Sequence, residues 1–91
     1  HRVLTAINVR AGDTTIAAMS DTAVRFRDIS PDEAAAYWQS GEPRDKAGAY
    51  AIQGLGGIFV AAIEGSYSGV VGLPVFETAD LLAKAGIRIL E

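Results

Sequence analysis

The chain has no cysteine and a single histidine, His1, at its first position. Without thiols there is no disulfide frame and no thiolate metal site. One terminal imidazole does not make a zinc site, and a serine–histidine triad finds no further members here. Long apolar runs are also missing. The longest fall far short of the roughly 18–20 residues that a membrane span needs, and no basic segment leads into an apolar stretch of the secretory kind. Cations are scarce, with 8 Lys and Arg against 11 Asp and Glu and a net charge of −3. That balance speaks against a nucleic-acid surface, which depends on clustered Lys and Arg. It leaves room for a small anionic ligand, for which a few local cations or backbone N–H groups suffice. Two nucleotide fingerprints are absent as well. Gly54-Leu55-Gly56-Gly57 would need its third glycine at Phe59 and an acidic residue downstream, and there is no G-x-x-x-x-G-K-S/T loop.

What remains is a globular composition: 91 residues, 49% apolar, with three Phe, three Tyr and one Trp. This is material for one small domain, residues 1–91, burying about 60–65% of the surface its unfolded chain exposes. The chain opens on His1 rather than Met, with its second residue already in a strand pattern, so we expect a piece of something longer.

Arg2 to Val9 is apolar on both parities, as in a strand covered on both faces. Ala11-Gly12-Asp13-Thr14 has turn chemistry, and Thr15 to Arg27 returns with Val24 and Phe26 alternating against Arg25 and Arg27. The expectation is an antiparallel pair over 2–10 and 15–28. Ser30-Pro31-Asp32-Glu33 carries a capping box with proline at the first helical position. A helix therefore runs to about Ser40, with Ala34, Tyr37 and Trp38 on its apolar face and Gly41 as its stop. Ile58 to Ile63 reads as a buried strand, whereas Ser66 to Gly72 fits no element. Pro74 opens a last helix with Phe76, Ala79, Leu82 and Ala83 on one face and Gly86 at its end, and Ile87 to Leu90 forms a final edge strand. Strands mixed with two helices place the chain in the α/β class, or α+β.

Between the first helix and the Ile58 strand lies Glu42 to Gly57, with four glycines, one proline, two acids and two bases. Glycine at that density lets backbone approach a ligand closely, and such loops are where function tends to sit. Gln53 carries one acceptor oxygen and two donor hydrogens, the equipment for reading the edge of a planar polar group. Asp45 and Lys46 are either a solvated surface pair or a phosphate-binding cation held in place by Glu42 or Asp45. Ser66-Tyr67-Ser68 is either turn chemistry or a hydroxyl cluster for phosphate or water.

Five stretches in order resemble one family: Gly41-Glu42-Pro43, Asp45-Lys46-Ala47-Gly48-Ala49-Tyr50-Ala51-Ile52-Gln53-Gly54, Ile63-Glu64-Gly65-Ser66-Tyr67, Val71-Gly72-Leu73-Pro74 and Glu77-Thr78. Together they are similar to the C-terminal half of the Maf nucleoside triphosphate pyrophosphatases, across nearly the whole chain. The resemblance implies the C-terminal lobe of a fold similar to that of the inosine triphosphate pyrophosphatases: an α/β architecture, a mixed sheet with flanking helices and a cleft between two lobes. It implies a cytoplasmic enzyme, often dimeric, that uses a divalent cation (magnesium or manganese) to cleave a nucleoside triphosphate to the monophosphate and pyrophosphate. Ala49-Tyr50-Ala51-Ile52-Gln53-Gly54 resembles the subfamily acting on dTTP and UTP, in which the glutamine matching Gln53 helps choose the base. Glu42, Asp45, Lys46 and Gly54 then belong to the substrate loop. The family's phosphate-gripping arginines, its metal-binding glutamate and its catalytic aspartate are expected upstream of His1. Asp13-Thr14 and Asp21-Thr22 do not replace the family's Asp-Thr, because they follow the His1 strand instead of preceding it, and they read as turn and strand-surface residues. The chain alone should bind no metal and be inactive. The alternative is a non-catalytic interaction module tied to septum formation and cell-division control.

Overall fold

The computed structural model describes residues 1–90. Strands β1 (Arg2–Ala11), β2 (Thr14–Phe26) and β3 (Val60–Glu64) form a three-stranded sheet in the order β1-β2-β3, and every pairing is antiparallel. Helix α1 (Pro31–Gln39) follows β2, and α2 (Tyr67–Val71) and α3 (Val75–Lys84) follow β3. Three short 3-10 turns, Glu42–Asp45, Ala47–Ala49 and Leu55–Phe59, carry the chain from α1 to β3. The α/β class stands, with helices flanking a sheet. The body measures 52 × 23 × 23 Å with a radius of gyration of 16.4 Å, against about 12 Å for a round domain of this length. The β1–β2 hairpin sets that length, since a 13-residue strand spans about 40 Å.

The hairpin falls where turn chemistry puts it, with Ala11 opposite Thr14 and Gly12 at φ 62°. Its register pairs Val3 with Thr22, Thr5 with Ser20, Ile7 with Ala18 and Val9 with Ile16 on one face. Helices α2 and α3 both pack on β1 and β2. The Thr5 hydroxyl donates to the Gly69 carbonyl at 2.7 Å. The opposite face is open: Leu4 is 61% exposed and Met19 58%. Apolar residues on both parities of β1 suggested cover on both sides, and the described residues supply it on one.

Several other expectations give way for the same reason, that burial depends on what lands on an element. On α1 only Tyr37 turns inward, against Phe59 at 5.3 Å between ring centroids; Ala34 is exposed and Trp38 is half-exposed beneath the Arg44 guanidinium. The buried stripe of α3 centres on Leu81, and Phe76 points to solvent. The strand after the loop begins at Val60 instead of Ile58, β2 stops at Phe26 short of Asp28, and residues 87–90 form no strand. The unassigned Ser66–Gly72 stretch is α2, capped by the Ser66 hydroxyl, which accepts from Gly69 N–H at 2.9 Å. Ser68 Oγ accepts from Val75 N–H at 2.9 Å, so both serines serve the helix junction. Asp21 lies on the strand surface, paired to Arg2 at 2.9 Å. Thr22, expected on that surface too, is fully buried: its hydroxyl accepts from Ser66 N–H at 2.9 Å.

The start of α1 matches its sequence signature. Ser30 Oγ accepts from Glu33 N–H, and Glu33 Oε1 accepts from Ser30 N–H, both at 3.1 Å. Arg27 adds two charged bonds to the same carboxylate at 2.7 and 3.1 Å. Arg27, and then the Ser30 N–H, lower the Glu33 carboxyl from near 4.5 to about 2. A depressed carboxyl stabilises the fold above its unfolded value and loses that contribution as pH falls through its folded value. The urea midpoint should therefore drop more between pH 4.5 and 2 in the parent chain than in Glu33→Gln. Parallel pH curves for the two would show that the Glu33 charge, and with it the Arg27 pair, contributes nothing in solution.

Candidate functional site

Gly41 at φ 82° ends α1 and turns the chain back so that Glu42 points under the later part of its own loop. The Glu42 carboxylate accepts from Leu55 N–H through Oε1 and from Gly56 N–H through Oε2, each at 2.9 Å, and Oε2 also accepts from the Tyr37 hydroxyl. That hydroxyl in turn accepts from Ala51 N–H at 3.0 Å. The Tyr37 hydroxyl, followed by the two N–H groups, holds the Glu42 carboxyl below the usual carboxylate range. Burial, and then the bond to Glu42, pushes the Tyr37 hydroxyl up. Gly54 sits where any Cβ would fall on the Glu42 carboxylate, so glycine is needed there for close approach.

Above this arrangement runs a groove of about 480 Å³, bounded by the start of β1, the 46–53 segment and the end of α2. Its size lies in the ordinary range for small-molecule sites. Gln53 is exposed on its wall, and no hydrogen bond among the described residues uses its carboxamide. Lys46 lines it too, with Nζ 3.3 Å from Asp45 Oδ1 in a pair exposed to solvent. Of the five residues singled out in sequence, Gln53 and Lys46 therefore reach the groove. Glu42 and Gly54 meet behind it, and Asp45 touches it only through Lys46.

The groove also contains two residues that sequence reasoning left aside. The His1 ring stacks on Phe26 at 5.1 Å, and its Nε2 lies 3.1 Å from the Tyr50 hydroxyl. Tyr50 stands edge-on to Phe26 at 5.0 Å, and burial raises its phenol above the usual value. A lone terminal histidine carries no signal of a site by itself. Its partner lies 49 positions away, a separation that only folding closes. Among the described residues no group of three His, Cys, Asp or Glu could hold a metal ion, so the residues present do not fit the divalent cation that the resemblance implies. No helix among them is long and apolar enough to cross a membrane.

A family model described as Maf-like protein matches residues 1–85. The chain is 58% identical over 87 residues to the dTTP/UTP pyrophosphatase of Methylococcus capsulatus, covering 96% of this chain and 43% of that protein. It is 57% identical over 89 residues to the dTTP/UTP pyrophosphatase of Nitrosomonas europaea, covering 98% and 43% respectively. For that of Methylobacillus flagellatus the identity is 58% over 89 residues, covering 98% and 45%. The chain thus spans less than half the length of the curated relatives it matches.

Proposed function

Because the chain belongs to the Maf family, we propose that it supplies the base-selecting wall of a nucleoside triphosphate pyrophosphatase that hydrolyses dTTP or UTP to the monophosphate and pyrophosphate. The observation that carries this reading is Gln53: a carboxamide without a hydrogen-bond partner among the described residues, on the wall of a groove, in a loop whose backbone is tied down on both sides. Thymine and uracil present a carbonyl–imide–carbonyl edge, to which an amide can both donate and accept. Cytosine presents the reverse order, an acceptor ring nitrogen beside an amino donor, and fails to pair with the same amide when its oxygen and nitrogen are held in the orientation that suits thymine or uracil. A site built to hydrogen-bond its substrate discriminates by leaving polar groups unpaired in the wrong complex. Lys46 lines the same groove, as does Arg2, and in this reading Lys46 meets the phosphate chain with Asp45 steadying its ammonium. The names of the relatives are those of pyrophosphatases, and nothing in them favours the septum-formation reading.

Water activation and the magnesium or manganese ion fall, in this proposal, to residues other than these. Incubating the 91-residue chain with dTTP and magnesium should accordingly release no pyrophosphate, and saturable hydrolysis would overturn that division of labour. In the full-length enzyme Gln53→Ala should lower the preference for dTTP over dCTP, measured as the ratio of kcat/KM values. The fall expected is about tenfold, the worth of one good hydrogen bond, with a smaller change in kcat. An unchanged ranking of substrates would mean that Gln53 does not face the base.

A further inference from the structure

Base selection by Gln53 requires its carboxamide to be held at one height and angle, and packing does not hold it. Gln53 and Gly54 are exposed, and Leu55 and Ile58 are 58% and 65% exposed. The backbone of this arc is fastened from behind by polar groups instead. Tyr37 takes Ala51 N–H, two residues before Gln53, while Glu42 takes Leu55 and Gly56 N–H, two and three residues after it. The Tyr37–Glu42 bond joins the two fastenings into one clamp, and a turn from Gly54 N–H to the Ala51 carbonyl at 3.1 Å closes the arc between them.

We infer that Tyr37 and Glu42 are positioning residues for nucleotide discrimination, acting through the Gln53 arc. This rests on the base-selecting reading above. The chemistry of the clamp is specific. Three donors converge on one carboxylate, which only an acceptor-only group with two oxygens can satisfy. A glutamine at position 42 would turn an NH2 group toward at least one of those donors. Tyr37 must both donate and accept, so a phenylalanine keeps the ring against Phe59 and releases the link to Ala51. Backbone clearance fits the same purpose: a Cβ at Gly56 would lie 2.5 Å from the Tyr37 hydroxyl, and one at Gly54 would displace the Glu42 carboxylate. Linked polar networks of this kind fix a single arrangement when every member is satisfied.

The test is a set of double-mutant cycles in the full-length protein. Tyr37→Phe, Glu42→Gln and Gln53→Ala are made singly, and each of the first two is combined with the third. The readouts are kcat/KM for dTTP and dCTP, and amide hydrogen exchange at Ala51, Leu55 and Gly56 with the β1–β2 amides as a folding control. Tyr37→Phe and Glu42→Gln should each lower the dTTP/dCTP preference about fivefold when Gln53 is present and leave it unchanged when Gln53 is already Ala. Exchange should rise at the three loop amides while the hairpin stays protected. If Gln53→Ala shifts the preference and the clamp variants do not, or shift it equally without Gln53, the clamp inference is wrong and the base-selecting reading survives. If Gln53→Ala leaves the preference untouched, the base-selecting reading fails first. Should Glu42→Gln lose hairpin protection, Tyr37→Phe decides the matter.

Discussion

Gly65→Ala is expected to lose about 4 kcal/mol of stability, the sum of about 1–3 for backbone strain and about 1–3 for overpacking. Gly65 turns the chain from β3 into α2 at φ 134°, a conformation that side-chain-bearing residues rarely adopt. A Cβ there would lie 2.7 Å from the Thr22 hydroxyl and 3.0 Å from Thr22 Cα. Thr22 has no exposed surface and sits in the central strand of the sheet, so the obstacle is backbone that cannot step aside. Moving the turn also separates Thr22 from Ser66, whose N–H and carbonyl both bond the same hydroxyl, at 2.9 and 3.3 Å. Helix α2 would come off β1 and β2, taking Val70 and Val71 out of the groove wall. A domain of this length has about 5–14 kcal/mol in total, so the loss is a large share. Urea unfolding followed by circular dichroism reads it directly, and a change below about 0.5 kcal/mol, the range of an ordinary surface substitution, would show that the β3–α2 turn is not built as described.

Gly56→Ala is expected to cost less stability and more function. Its Cβ would meet the Tyr37 hydroxyl at 2.5 Å, the Ala51 carbonyl oxygen at 2.8 Å and Ala51 N at 3.1 Å. Ala51 is only 5% exposed, and two of these atoms are backbone, so relief requires Ala51 and Gly56 to part. The bonds that join them through Tyr37 and Glu42 then lengthen or break, at about 1 kcal/mol each, beside an overpacking cost of about 1–3 kcal/mol. The total is about 3 kcal/mol. The Gln53 arc is the part that moves, and displacement takes the carboxamide away from the base as removing it would. In the full-length enzyme kcat/KM for dTTP should therefore fall about tenfold, with the dTTP/dCTP preference collapsing alongside it. Unaltered kcat/KM in a folded variant would show that the loop stands apart from the bound nucleotide.

The parts of the fold legible in sequence are those whose causes lie within a few residues. Gly12 and Asp13 make the hairpin turn, and Ser30, Pro31 and Glu33 start α1 at the residue their chemistry dictates. Gly41 and Gly86 follow the ends of α1 and α3 with positive φ, as expected. What could not be read is which side of each element would be covered. Trp38, Phe76 and Leu4 are apolar and exposed, while Thr22 is polar and fully buried. Residue type states a preference for burial, but α2 and α3 both landing on one face of the hairpin decides which residues obtain it.

The candidate site divides along the same line. From its residues alone the sequence determined that Gln53 and Lys46 sit in one glycine-rich loop, and left open whether Lys46 is a surface partner of Asp45 or a cation for phosphate. It also determined membership of a family whose motifs run the length of the chain. Only the tertiary structure decided that Glu42 faces inward to hold that loop, 13 and 14 residues from the N–H groups it binds, and that His1 meets Tyr50 at the groove. The physical reason is that a cap or a turn is satisfied by near neighbours in the chain, whereas a carboxylate goes to whichever donors the folded backbone brings within reach, and those are set by contacts far apart in sequence.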